Sequence, residues 1–182
     1  MAREVATVEV VDGGRFLTGV AVPFDEPALV NDRTLGVVHE VFDEQSVPIS
    51  RRPRGVPLLI SHDQTRPPVG RVDASEIVVG RGLTFTAELV GTEEETEGWR
   101  RRWAAGLMFA ISIGFHPSPR DDEHYRPERD GLPPVVVRRN VRIAELSIVL
   151  HPAFRSARID RVADRRPTPK LDGVLADIAA NG

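Results

Sequence analysis

The sequence predicts a mainly β fold with peripheral helices (α+β), its sheet curling into a barrel or a sandwich. Short runs rich in valine, isoleucine and leucine recur along the chain, each bounded by glycine, proline or aspartate. One long segment near the middle changes from strand-like alternation to helical period. With 182 residues, 41% hydrophobic and 28% charged, the chain fits one domain able to bury a core without cross-links.

The elements follow in order. Glu4–Val11 (EVATVEVV) and Arg15–Val22 (RFLTGVAV) flank Asp12-Gly13-Gly14 and read as a hairpin. Pro23 to Asp32 reads as a loop with two prolines, and Leu35–Phe42 as a strand. Asp43–Arg54 mixes a short helical turn with an exposed basic loop. Val56–Ile60 (VPLLI) is a nearly continuous apolar run that stops at Ser61-His62-Asp63. Ile77–Val79 and Gly82–Leu89 form a further strand pair around a glycine. Thr92 precedes Glu95 by three residues, the capping-box spacing. Glu93–Glu95 open, and Arg100–Arg102 close, a helix read as Glu93 to about Ala105 and stopped by Gly106. Trp99, Trp103 and Leu107 are spaced to share one face of it. Ala110–Phe115 (AISIGF) is the next strand. Pro117–Pro134 is polar, proline-containing and read as a flexible excursion. Val135–Val137 and Val141–Ile143 bracket Arg138-Arg139-Asn140 as a strand or hairpin. Ala144–Leu150 (AELSIVL) is a strong strand, and Ala157–Val162 a last short element. The domain is expected to span residues 1–164, with 165–182 a flexible C-terminal tail or linker in which Leu171–Ala180 has the makings of a short helix.

Several chemistries are excluded or disfavoured. There is no cysteine, so disulfides, thiolate metal sites and cysteine nucleophiles are absent together. A net charge of −3 gives no basic field for nucleic acid or anionic lipid. No window approaches a membrane span, and the first residues lack the apolar core of a signal peptide. No HExxH or phosphate-loop spacing occurs. The group His116, Asp121, Asp122 and His124 lies in a segment too polar to preorganise a metal site, so no metal and no cofactor are expected. Lys170 is the only lysine, and it lies in the tail.

Three residue types remain for catalysis. His62 lies where an apolar strand meets a polar turn, a rigid position for a functional side chain. Its neighbour Asp63 is expected to point away from the ring. Ser112 alternates with Ala110 and Gly114, opposite Ile111, Ile113 and Phe115. Either a second layer packs on that small face, or the face leaves room for a substrate backbone and a histidine. Glu145 interrupts an apolar run, and simple alternation puts it on one face with Ile143 and Ser147. It is either an ordinary solvated residue at a sheet edge or a partner that orients a histidine. His151, at the end of the same strand, is a rival for that orienting role.

The ordered set G-V-A-V-P-F (19–24), V-P-L-L-I-S-H-D (56–63), P-V-G-R (68–71), G-L-T-F (82–85), S-I-G-F (112–115) and E-L-S-I-V-L-H-P-A (145–153) resembles the tailed-bacteriophage prohead (capsid maturation) serine proteases, related in fold to the herpesvirus assemblins. The resemblance runs from about Gly19 to Ile159. It implies a closed or partly closed β-barrel, with Ser112 as nucleophile, His62 as base and Glu145 as third member, His151 being the alternative. It also implies a serine endopeptidase that cleaves scaffold and major capsid protein, and itself, inside an assembling prohead in the host cytoplasm. Self-association is expected, with no membrane and no direct nucleic-acid contact. An oxyanion donor is looked for near Arg138-Arg139. Two competing readings are a non-catalytic capsid-assembly module with the same fold and an unrelated β-barrel binding domain.

Overall fold

The computed structural model describes residues 9–10, 15–44, 46, 55–78, 80–107, 109–125 and 131–163. The strands are β1 (Glu9–Val10), β2 (Phe16–Val22), β3 (Ala28–Asp32), β4 (Gly36–Phe42), β5 (Val56–Ile60), β6 (Gly70–Val78), β7 (Gly82–Leu89), β8 (Ala110–His116), β9 (Glu123–Tyr125), β10 (Val135–Arg138), β11 (Arg142–Val149) and β12 (Arg158–Ala163), with one helix, α1 (Glu93–Ala104), between β7 and β8.

Seven strands run in the order β12-β2-β7-β6-β5-β11-β8, and the pairing of Arg158 with Ala110 closes them into a barrel. Closure leaves no long free edge among these strands. The interior is filled by alternate side chains: Leu17, Leu58, Leu83, Ile111, Ile148 and Ile159 are all essentially inaccessible. Helix α1 begins with Thr92 and Glu95 forming a reciprocal capping box. It ends at Ala104 with Ala105 as its C-cap, after which Gly106 takes the left-handed conformation (φ 71°) that terminates many helices. Trp103 is buried in the core and stacks on Trp99 at 5.9 Å.

A second sheet, β3-β4-β10-β9, packs beside the barrel. Phe42 of β4 meets Phe115 of β8 and Phe154 edge-on, at 5.4 and 5.5 Å. The Arg138 guanidinium lies 5.8 Å from the Phe115 ring and is almost fully buried. It donates to Asp32, Glu40 and Asp122 at 2.6–2.8 Å. One buried cation thus ties three segments of this sheet to the strand that carries Ser112.

Several expectations are corrected. β1 pairs in parallel with β12 rather than forming a hairpin with β2. A strand has two edges, and those of β2 are taken by β12 and β7. The supposed loop 23–32 contains β3, and the excursion 117–134 contains β9. Both gain ladder partners in the second sheet that local composition does not reveal. Val135–Arg138 and Arg142–Val149 do not pair with each other: β10 joins β4 and β9, whereas β11 joins β5 and β8. Leu107 lies beyond the helix and is 55% exposed, so it does not extend the tryptophan face. The tail 165–182 and most of 43–54 lie outside the described residues.

Candidate active site

Strand β11 lies between β5, its parallel neighbour, and β8, its antiparallel one. Along β8 and β11 the pairs Ile111–Ile148 and Ile113–Leu146 point into the core, so the pairs Ser112–Ser147 and Gly114–Glu145 point out of the barrel. The register slips between Ile143 and Glu145. This bulge corrects the simple alternation: Ile143 packs in the core with Phe115, while Glu145 emerges on the face of Ser147 and Ser112.

Glu145 is only 4% exposed despite facing outward, because its neighbours enclose it. A Cβ placed on Gly114 would come within 2.2 Å of Glu145 Oε1. The carboxylate therefore occupies the volume that a side chain on β8 would need. Ser147, fully buried, donates its hydroxyl to Glu145 Oε2 at 2.7 Å and accepts from the His62 amide at 3.1 Å. The His62 ring completes the enclosure, with Nδ1 2.7 Å from Glu145 Oε1. A carboxylate accepts, so Nδ1 carries the proton and Nε2 faces away from the pair.

His62 arrives there by an unusual backbone. Ser61 and His62 both have positive φ (52° and 59°), and Asp63 N donates to Ile60 O across them. Two consecutive left-handed residues make a mirror-image turn, which costs non-glycine residues roughly 1–2 kcal/mol each. The turn is tethered by Ser61 N to Ile148 O and by the His62 amide to Ser147. Strain held in place by surrounding bonds, on a residue aimed at a buried carboxylate, is typical of functional positions. The hydrogen bond to Glu145 raises the His62 pKa above its ordinary value of 6.5; burial opposes this, and the carboxylate charge reinforces it.

Asp63 binds Thr65 and Arg66 rather than the ring. His151 is exposed in the bend after β11. Asp122 is committed to Arg138 and to the amide of Arg139, so that amide is not free for an oxyanion. Among the described residues no cluster of His, Asp or Glu is arranged to hold a metal.

A buried carboxylate and a half-exposed histidine bonded to it thus lie beside β8, whose partly exposed Ser112 shares the carboxylate's sheet face. The model of the caudovirus prohead serine proteases matches residues 3–170. The chain belongs to that family. The barrel and flanking helix agree with the mainly β fold expected of a prohead protease. No curated protein and no solved structure matches this prohead protease significantly.

Ser147 and Gly114 are the parts of the site that the sequence reading did not assign. A serine two residues after Glu145, within one strand, was the available signal. For Gly114 the sequence leaves two readings open, a second layer packed on the small face or room for a substrate backbone and a histidine. Its missing side chain makes room for Glu145 instead.

Proposed function

We propose that this prohead protease cleaves peptide bonds with Ser112 as nucleophile, His62 as general base and Glu145 as the residue that orients the imidazole. The observation that carries the reading is the Nδ1 contact of His62 with a buried carboxylate on the outward face that Ser112 shares. Neutral His62 takes the Ser112 proton at Nε2 as the hydroxyl oxygen attacks the scissile carbonyl. Glu145 holds the proton on Nδ1 and stabilises the imidazolium. His62 then returns its proton to the departing amine, leaving an acyl-enzyme that water hydrolyses by the same steps in reverse. Ser147 is a poor candidate nucleophile, because its hydroxyl is inaccessible and already donates to Glu145. The Glu145 contact favours it over His151 as third member.

The substrates on this reading are the scaffold and major capsid proteins, within the assembling prohead in the host cytoplasm, with self-cleavage and self-association. Co-expression with scaffold and capsid protein tests it. The wild type trims them, and Ser112→Ala leaves them full length. Trimming by Ser112→Ala at the wild-type rate removes Ser112 from the role.

A further inference from the structure

Beside the candidate site lies a cavity of about 700 Å³, lined by the segment between β5 and β6, the end of β7 and helix α1. The turn that carries His62 contributes Ser61 and Asp63 to it. Its floor is apolar, made by Ile60, Val69, Leu89 and the half-buried Trp99. Val90, also in the lining, is 64% exposed. The Arg102 guanidinium lies 5.0 Å over the Trp99 ring, and Arg66, paired with Asp63, also lines the cavity. Asp63 and Glu95, the two carboxylates of the lining, are engaged already: Asp63 with Thr65 and Arg66, Glu95 with the Thr92 cap.

We infer that this cavity receives the chain's own residues 171–178, whose apolar side chains lie over Trp99 and whose aspartates meet its arginines. Two facts select this occupant. The first is where the chain goes. β12 ends at Ala163, which pairs with Phe16, which in turn pairs with Glu88 next to Leu89 of the cavity floor. Two strand spacings, roughly 10 Å, separate the end of β12 from the cavity edge. Residues 164–170, when extended, span up to about 23 Å, more than the distance requires. The second is chemical match. Leu171, Val174, Leu175 and Ile178 recur at i, i+3, i+4 and i+7, an apolar stripe that needs an apolar surface, with Asp172 and Asp177 beside it. A segment seated there lies against the turn of His62 and competes with any other peptide entering from that side. This last consequence rests on the serine protease reading; the docking itself does not.

The test uses the full chain, with Leu175→Asp and Ile178→Asp combined in the tail, so that no residue of the cavity lining is changed. Trp99 and Trp103 are the only tryptophans, and Trp103 is buried. Docking predicts that the double variant red-shifts the emission and increases quenching by acrylamide. Trp99→Phe abolishes both differences, and a synthetic peptide of residues 168–182 reverses them in the double variant. Identical emission and quenching in wild type and double variant overturn the docking. Fluorophosphonate labelling separates the second claim: competition predicts faster labelling of Ser112 in the double variant. Unchanged labelling alongside the fluorescence shift overturns the competition and leaves the docking standing.

Discussion

The carboxylate of Glu145 stands in the space where Gly114 has no side chain, and the same oxygen that would meet a Gly114 Cβ at 2.2 Å bonds the His62 ring at 2.7 Å. The glycine on one strand and the glutamate on the next are thus two halves of one feature, which sets where the imidazole lies relative to Ser112.

Gly114→Ala is therefore expected to displace the carboxylate while leaving the core face of β8 intact. Misplacement of about 1 Å costs on the order of 10²-fold in rate. Peptidase assays together with circular dichroism check this; wild-type activity in a folded Gly114→Ala protein contradicts the arrangement.

With His62 as the proposed base, the pH dependence of the reaction follows from its ring. Its pKa is raised by the hydrogen bond to Glu145, so the acid limb of kcat/KM falls above 6.5 rather than at it. Glu145→Gln moves that limb down and lowers kcat by ~10⁴-fold, as loss of the orienting carboxylate does in a triad. For stability the sign is the reverse of activity. A raised histidine pKa stabilises the fold fully below about 6.5 and ceases to do so as the pH rises through the folded value.

Ser147→Ala separates support from chemistry. It removes the donor to Glu145 Oε2 and the acceptor of the His62 amide, both in a buried setting. Leaving such groups unpaired costs about 1–3 kcal/mol. Thermal unfolding is expected to show that loss in Ser147→Ala and little change in Ser112→Ala, although Ser112→Ala is the more damaging to activity.

Arg138→Met removes the cation from among Asp32, Glu40 and Asp122. Breaking a buried ion cluster by deleting one partner costs about 3–5 kcal/mol. Burial already raises the pKa of Glu40, so part of the loss is recovered at low pH as the carboxyl groups protonate. Denaturant titrations at two pH values measure both effects.

Most barrel strands were legible as apolar runs bounded by chain breakers: Val56–Ile60, a nearly continuous run, has the bounds expected, whereas of β6 only the end near Ile77 was legible. The helix was legible because Thr92 and Glu95 state its start locally. The second sheet was not, since β3 is a five-residue strand just after Pro27 and β9 a three-residue polar one, both made by pairing with β4 and β10. The candidate site divides in the same way. Ser112, His62 and Glu145 were candidates by residue type, and their roles came from the family resemblance. The bulge at Ile143/Glu145, the left-handed turn at Ser61-His62 and the seat at Gly114 depend on contacts between strands far apart in sequence. No local window contains them.

The central claim is that Ser112 is a nucleophile activated by His62. Treating the assembled protein with a fluorophosphonate and mapping the adduct by mass spectrometry tests it most directly. The expected result is a single adduct on Ser112 that disappears in His62→Ala and is strongly reduced in Glu145→Gln. An adduct on another residue, or labelling of Ser112 at an unchanged rate without His62, would contradict it.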